Sequence, residues 1–269
     1  MKLKTNFREI EWKKPLWMAI LNVTPDSFSD GGRTGIQESA DHAMRLLAQG
    51  ADILDIGGES SRPGADPVSP KEEIRRIGPV IREIRDRCAE EGLPKPFFSV
   101  DTYHPETAEF AVSLGVEMLN DIAGLSDPAM VRVARESGTS VCFMHMQGTP
   151  KTMQTAPHYE NVLEDVFFWL ARRRDALLEA GLEREKLVAD FGLCFGKTME
   201  QSWILAENAR RFQELGIPIL AGHSRKSFLN RILEVHPEMD RDDATHAVSR
   251  LLVAQGVQIL RTHVRPEIE

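Results

Sequence analysis

Polar and charged residues that could do chemistry follow short apolar runs along the whole chain. The residues found directly after these runs are Asn22, Glu59 with Arg62, Asp101, Asn120 with Asp121, His145, Asp190, Ser224 to Ser227, and Arg261 with His263. Carboxylates in this set can accept hydrogen bonds, and the lysine and arginines can bind an anion. One aspartate after a strand is more often a helix N-cap than a catalyst. The joint occurrence of both charges after successive runs instead predicts one shared site.

The apolar runs and the segments between them predict the elements that must position this site. Eight runs are expected to be strands: LWMAILN, DILDIGGES, FFSVDT, VEMLNDI, TSVCFMH, KLVADFG, IPILAGHS and VQILRTH. Between them, apolar residues recur at a spacing of three or four, as at Ala40, Ala43 and Leu47, which is typical of helices with one buried stripe. Alternating strands and helices indicate parallel strands with right-handed crossovers.

The repeat count predicts an α/β fold with a single (β/α)₈ TIM barrel. The barrel should span residues 16–269, after an N-terminal extension of residues 1–15 that could form a small hairpin at the barrel bottom. The chain ends seven residues after Thr262, so the eighth helix should be truncated. An open doubly wound sheet is the alternative, but it usually carries a glycine-rich fingerprint after its first strand, and this chain has none.

Composition limits the classes of partner. The formal charge of −8 argues against a general nucleic-acid or anionic-membrane binder, because such proteins need an excess of lysine and arginine. No export segment or run approaching ~18 apolar residues is present, so neither secretion nor membrane insertion is expected. The three cysteines, Cys88, Cys142 and Cys194, are widely spaced, which favours reduced thiols in a cytoplasmic protein.

Several patterns favour structural rather than functional interpretations. GLCFGKT at residues 192–198 has three residues between its glycines, one fewer than a phosphate-binding P-loop requires. The histidines form no tight pair of the HExxH type, so no zinc site is expected. We expect structural or surface roles for His145, His223 and His236. Asp121 is assigned to loop capping, and Asp55 and Glu59 to inter-strand hydrogen bonding.

The RTH segment differs from these, because alternation along a strand puts Arg261 and His263 on one face near the barrel mouth. The pair could be an anion site or a solvated loop end, and the spacing alone leaves both open.

The chain resembles the dihydropteroate synthases, folate-pathway enzymes that are targets of sulfonamides. The motifs that carry the resemblance are NVTPDSFSDGG, DIGGESSRPGA, SVDT, NDI, FMHMQGTPKTM, DFGLCFGK, SRKS and RTH, in the family's order and spacing. The resemblance implies a (β/α)₈ barrel that condenses p-aminobenzoate with 7,8-dihydropterin-6-ylmethyl pyrophosphate. This alkyl-group transferase would release pyrophosphate with the help of Mg²⁺ and without a protein nucleophile. It also implies a homodimer.

The resemblance implies a role for each residue that matches a family motif. Pterin binding and catalysis would fall to Asp101, Asn120, Asp190 and Lys226. Pyrophosphate binding would fall to Arg62, Arg261 and His263. The p-aminobenzoate pocket would comprise Phe28, Ser61, Pro63, Phe195 and Ser227. Asn22 would be the Mg²⁺ ligand.

Two positions in the DFGLCFGK segment depart from the family pattern. Phe191 stands where a proline is usual and Cys194 where a glycine is usual, so this loop should have a different backbone preference. These departures keep open a non-catalytic pterin-binding paralogue. The barrel methyltransferases that pass a methyl group from methyl-tetrahydrofolate to a corrinoid are a further alternative. Those enzymes have no use for the TPDSFSDGG, ESSRPG and SRKS segments, all of which are present here.

Overall fold

The chain folds as a short antiparallel hairpin followed by a closed barrel of eight parallel strands. The computed structural model describes residues 2–23, 33–60 and 66–268. The hairpin strands are β1 (Lys2–Lys4) and β2 (Glu9–Glu11). The barrel strands are β3 (Leu16–Asn22), β4 (Ile53–Gly57), β5 (Phe98–Asp101), β6 (Met118–Asp121), β7 (Ser140–Met144), β8 (Leu187–Asp190), β9 (Ile219–Ala221) and β10 (Ile259–Thr262). β10 pairs with β3 and closes the barrel, which confirms the predicted fold class.

Helices cover the outside of the barrel between successive strands. They are α1 (Arg33–Ala48), α2 (Pro70–Glu90), α3 (Pro105–Ser113), α4 (Pro128–Ser137), α5 (Val162–Glu179), α6 (Met199–Glu207), α7 (Asn230–Val235) and α8 (Arg241–Ala254). No helix follows β10 in the described residues up to 268, in agreement with the predicted truncation of the eighth helix. None of the helices within the described ranges has the length and apolar character needed to span a bilayer.

Local sequence accounts for where several helices begin. Ser69 caps α2 by accepting a hydrogen bond from the backbone N–H of Glu72, and a proline follows at the first turn. Thr198 and Gln201 form a capping box at the start of α6, so that each side chain accepts from the other's backbone N–H. These caps end the loops that lie at the carboxyl ends of the strands.

The barrel interior has an apolar lower layer and a polar upper layer. The lower layer includes Met18, Ile53 and Cys142, and Leu3 of the hairpin packs into it with no exposed surface. Above it, inward positions of β4 and β6 carry Asp55 and Asn120 instead. The hairpin therefore covers the lower end, and the polar groups gather at the carboxyl end of the strands, where this fold usually holds its active site.

Candidate active site

A cavity of about 830 Å³ opens at the carboxyl ends of the barrel strands. The predicted site residues that line it are Asn22, Asp101, Phe195, Lys226, Ser227, Arg261 and His263. Asn120 and Asp190 are almost fully buried at the ends of β6 and β8, as inward positions of the same end of the barrel. All the predicted site residues that the structure describes therefore lie at one mouth of the fold.

Three of these side chains converge on the backbone of Gly222, just after β9. A Cβ atom built on Gly222 would lie 3.8 Å from Lys226 Nζ, 3.9 Å from Asp190 Oδ2 and 3.9 Å from Arg261 Cδ. The Asp190 carboxylate is oriented by the backbone N–H of Gly192, which donates to Oδ1 at 2.7 Å. The side chains of Asp190, Lys226 and Arg261 therefore come together beside Gly222, where a Cβ would make ordinary van der Waals contacts with all three.

Arg261 binds two carboxylates rather than facing the cavity alone. Its Nε donates to Asp55 Oδ2 at 2.6 Å, and its Nη2 donates to Asp101 Oδ2 at 2.7 Å. The Asn120 amide also donates to Asp55 Oδ2, at 3.0 Å. Asp55 was predicted to make inter-strand hydrogen bonds, and it does link β4 to β6 and β10. The same bonds make it a support for the site, which the sequence did not indicate.

Burial shifts the protonation equilibria of the site. It raises the pKa of Asp101 to about 7, with Arg261 opposing the shift and Asp55 adding to it. Burial also raises the pKa of Asp190, although Lys226 acts in the opposite direction. The pKa of Lys226 is lowered, again chiefly by burial. A ligand that brings hydrogen-bond donors to the carboxylates would therefore favour their charged forms.

The remaining predicted residues are at the rim. Ser224 Oγ lies 3.0 Å from His263 Nδ1 and also accepts from the His263 backbone N–H at 3.2 Å, which joins the ends of β9 and β10. Ser227 and Asn22 are exposed to solvent. Arg225 instead donates twice to Asp242 of α8, at 2.7 and 2.8 Å. Phe28, Ser61, Arg62 and Pro63 lie outside the described residues, so their roles stay predictions.

The residues given structural roles behave largely as expected. Asp121 accepts from the backbone N–H groups of Ala123 and Leu125 in the loop after β6. Glu59 accepts from the Tyr103 hydroxyl at 2.7 Å, across the loops of two neighbouring strands. His223 is buried, with Nε2 2.8 Å from the Ser249 hydroxyl. Cys142 and Cys88 are buried, reduced core residues.

The loop after β8 keeps a glycine-like backbone at its altered position. Cys194 has a φ of 65°, in the left-handed region that disfavours a side chain. Phe191, the other departure, is fully buried and stacks on Phe212 with ring centroids 4.9 Å apart. The side chain at 194 thus adds strain, while the ring at 191 adds core packing.

The same loop approaches the end of β7 too closely for any Cβ at residue 192. Gly192 has a φ of 68°, and a Cβ there would lie 2.0 Å from the carbonyl oxygen of His145. Gly216 has nearly the same φ, 67°, but its nearest atom, Arg184 Nη1, would be 3.6 Å away.

These two glycines make a matched pair. We expect Gly192→Ala to lower the free energy of unfolding by about 3 kcal/mol, because overpacking adds to the backbone strain. Gly216→Ala should cost only about 1 kcal/mol, because strain is its main penalty. Urea unfolding of both variants measures the difference, and equal losses would contradict the proposed clash.

Comparison with known proteins identifies the family. A family model described as "Pterin binding enzyme" matches residues 18–263. The dihydropteroate synthase of Haemophilus influenzae is 39% identical over 266 residues, which cover 98% of this chain and 94% of that protein. The chain belongs to the dihydropteroate synthase family. The resemblance predicted from the motifs is thereby confirmed.

Solved dihydropteroate synthases share the fold. The structure of the Xanthomonas albilineans dihydropteroate synthase with 4-aminobenzoic acid aligns with a TM-score of 0.85 at 36% identity, covering 97% of this chain and 92% of that one. The Yersinia pestis dihydropteroate synthase, in a complex with a sulfonamide drug, aligns with a TM-score of 0.87 at 35% identity, covering 98% and 93%. Both likenesses extend over almost the whole chain.

One buried residue of this dihydropteroate synthase site was missed by the sequence analysis. Lys197 is 2% exposed, and its Nζ lies 3.0 Å from His145 Nδ1. Burial, together with the charge of Lys197, lowers the pKa of His145 to about 2, so this imidazole is neutral. In the sequence, Lys197 belongs to the failed P-loop match and to the DFGLCFGK motif, but neither pattern gave it a role. A lysine between a glycine turn and a helix cap only weakly indicates a buried site residue, because its burial depends on β7, which is distant in sequence.

Proposed function

We propose that this chain is a dihydropteroate synthase, which condenses p-aminobenzoate with 7,8-dihydropterin-6-ylmethyl pyrophosphate and releases pyrophosphate. The observation that carries the proposal is the convergence of Asp190, Lys226 and Arg261 around Gly222 at one barrel mouth. This arrangement puts a carboxylate for a flat heterocycle next to cations for its diphosphate tail. Membership of the family supports the same reaction.

The pterin ring would be recognised by paired hydrogen bonds. Its 2-amino group and neighbouring ring N–H form a donor pair that one carboxylate can accept, and Asp190 is oriented for this by Gly192. Lys226 would donate to acceptors of the ring, and Asp101 and Asn120 would add further contacts. Each ring group left unpaired would cost about 1–3 kcal/mol, so this complementarity decides whether the ring can be buried.

Pyrophosphate departure would be assisted by the cations at the same mouth. Arg261 is held in a fixed orientation by Asp55 and Asp101, and His263 lies at the end of the same strand. As the C–O bond breaks, its electron pair leaves with pyrophosphate, and a cationic pterin methylene remains. The amine of p-aminobenzoate then forms the C–N bond and loses a proton. Positioning and electrostatic stabilisation account for this catalysis without a covalent enzyme intermediate.

The p-aminobenzoate ring would bind beside Phe195 and Ser227. The Phe195 ring centroid lies 4.6 Å from Lys226 Nζ, so this aromatic wall adjoins the pterin end of the cavity. The Xanthomonas albilineans relative, solved with 4-aminobenzoic acid, supports a site for this substrate. Phe28, Ser61 and Pro63 would complete the pocket, and Arg62 would cover the pyrophosphate.

Asn22 is the residue we propose as the Mg²⁺ ligand. Its amide is exposed at the cavity wall, and an amide oxygen suits this hard cation. Across the described parts of the chain, no group of three or more His, Cys, Asp or Glu side chains could hold a metal. A single protein oxygen fits an ion that is also bound by substrate phosphates and water. The chemistry such an ion supplies is partial neutralisation of the pyrophosphate charge.

We also propose a homodimer, as the resemblance implied, in the cytoplasm, as the widely spaced cysteines favoured. Ala244, Val248 and Leu252 of α8 are buried within the chain itself, so they cannot form the interface. The exposed apolar side chains of the late helices are instead Met199, Ile204 and Val235. Light scattering of the purified protein would give the mass of the assembly, and a monomeric mass at micromolar concentration would contradict the dimer.

Pyrophosphate release tests the proposed activity. Purified protein with both substrates and Mg²⁺ should release pyrophosphate, and omission of p-aminobenzoate should abolish the release. A non-catalytic paralogue would bind the pterin without releasing pyrophosphate. A corrinoid methyltransferase would instead demethylate methyl-tetrahydrofolate in the presence of a corrinoid protein.

Pterin affinity should fall as the pH drops below neutral. The ionised forms of Asp101 and Asp190 accept the hydrogen bonds, and the pKa of each is raised, that of Asp101 to about 7. Protonation between about pH 7 and pH 5.5 should therefore weaken the binding of a neutral dihydropterin by roughly 10-fold or more. Titration calorimetry across this range measures the change. In Asp101→Asn the dependence should be much weaker, whereas an unchanged slope would contradict a role for Asp101.

A further inference from the structure

Lys197 has an unusual environment for a lysine. Its side chain is enclosed just after the β8 loop, and burial of an ammonium is costly unless its donors are paired. Nζ has four neutral acceptors: Gly192 O at 2.8 Å, Phe195 O at 2.9 Å, His145 Nδ1 at 3.0 Å and His145 O at 3.3 Å. The acceptors compensate the burial, and they come from two separate parts of the chain.

By binding these acceptors, the Lys197 ammonium joins both ends of one strained turn to the end of β7. Gly192, Cys194 and Gly196 have φ values of 68°, 65° and 61°, so three residues in this short stretch are left-handed. Such a backbone persists only when its surroundings fix it, above all at a residue with a side chain. The Lys197 ammonium binds the carbonyl groups at residues 192 and 195, and it ties both to His145 at the end of β7.

Two groups of this turn contact the Lys226 ammonium, and one of them, the Phe195 ring, belongs to the proposed p-aminobenzoate pocket. The carbonyl of Leu193 accepts from Lys226 Nζ at 2.8 Å, and the Phe195 ring lies next to the same ammonium. We propose that Lys197 is a positioning residue for the condensation: by binding residues 192 and 195 to β7, it fixes the Phe195 ring of the p-aminobenzoate pocket. This inference rests on the proposed function and deepens it.

The pterin carboxylate depends less on this ammonium. Asp190 belongs to β8, its backbone carbonyl accepts from the His145 N–H at 3.0 Å, and its side chain is oriented by the N–H of Gly192. Strand pairing between β7 and β8 maintains these contacts. Loss of the Lys197 ammonium should therefore impair p-aminobenzoate use more than pterin binding.

The test compares Lys197→Met with Lys71→Met. Methionine keeps most of the length of the buried side chain but donates no hydrogen bonds, and Lys71 is an exposed lysine in α2. We expect the KM for p-aminobenzoate to rise about 10-fold in Lys197→Met, with a lower kcat, because several paired acceptors lose their donor. The Kd for the dihydropterin should change by less than about threefold. Lys71→Met should match the unmodified protein in every constant.

The pH dependence supplies a readout that a purely structural role would not move. Burial lowers the pKa of Lys197 to about 7; Lys226 adds to this shift, whereas Asp190 and Cys194 oppose it. The neutral His145 ring faces the same ammonium. Deprotonation removes a donor, so the KM for p-aminobenzoate should rise between about pH 6.5 and pH 8.5. Lys197→Arg, which stays charged, should restore a low KM and flatten this rise. Lys226 is common to both proteins, so the difference between the profiles reports Lys197.

Each outcome decides a separate point. If the unmodified protein releases no pyrophosphate with p-aminobenzoate, the proposed function fails. The positioning role is wrong if the protein is active but Lys197→Met has the KM values of Lys71→Met. It is also wrong if the KM for p-aminobenzoate and the Kd for the dihydropterin rise by the same factor. Circular dichroism establishes whether Lys197→Met folds. Should it not fold, a Lys197→Arg profile with the same pH dependence as the unmodified protein would overturn the inference.

Discussion

Replacing Asp190 with asparagine is expected to lower kcat/KM by about 1,000-fold, equivalent to about 4 kcal/mol of transition-state binding. Asparagine can still accept from Gly192 through its oxygen, so the loop should stay in place. The second oxygen becomes an NH₂ group that faces the donor pair of the pterin. A buried hydrogen bond is then replaced by an NH₂ donor that faces a pterin N–H donor, and neither group can accept from the other. The loss should appear in pterin Kd as well as in turnover, because this contact exists before the C–O bond breaks.

A conservative change elsewhere controls for the substitution itself. Asp127 caps α4 by accepting from the N–H of Ala129, and asparagine caps helices about as well. Asp127→Asn should therefore leave stability and kinetics unchanged. Calorimetry with a dihydropterin and steady-state pyrophosphate release give the two measurements. Pterin affinity within a few-fold of the unmodified value in Asp190→Asn would remove this residue from the proposed recognition.

Arg261→Met is expected to reduce both stability and activity. The guanidinium compensates Asp55, which has no exposed surface, and it also binds Asp101. Removing one partner of a buried ion pair typically costs about 3–5 kcal/mol, because the remaining charge stays buried. Turnover should fall about 1,000-fold or more, because a cation at the departing pyrophosphate is lost.

A double variant separates the two losses. Asp55→Asn removes the charge that Arg261 compensated, so Arg261→Met/Asp55→Asn should recover most of the free energy of unfolding without recovering turnover. Arg211→Met serves as a control, because Arg211 pairs with Glu164 on the outer helices and not at the mouth. Urea unfolding and pyrophosphate release measure the two quantities. Recovery of activity in the double variant would show that Arg261 acts only as a structural partner of Asp55.

The fold and the location of the site could be predicted because both follow from repeating patterns. Alternating strands and helices determine a parallel barrel, and the barrel brings its carboxyl strand ends together. Asp190, Lys226 and Arg261, which are far apart in sequence, were therefore expected at one mouth. The family motifs then supplied their proposed roles.

The supporting contacts could not be predicted, because each depends on three-dimensional distances between segments. Nothing in DILDIG indicates that one Asp55 oxygen serves both Asn120 and Arg261. The burial of Lys197 depends on where β7 ends, at Met144, more than fifty residues before the lysine itself. Cysteine itself carries no turn signal, so the positive φ of Cys194 is indicated only by the glycine that the family usually has at this position.

The hairpin and the apolar layer beneath the polar groups also constrain the order of events. Because Leu3 and its neighbours fill the lower end, we expect substrates and products to pass through the upper mouth. Asp190 lies deep on that route and Ser227 at its exposed rim. If the pterin binds at Asp190 and p-aminobenzoate beside Ser227, as proposed, we expect the pterin to enter first and a molecule in the outer position to delay the exchange of whatever is bound below it.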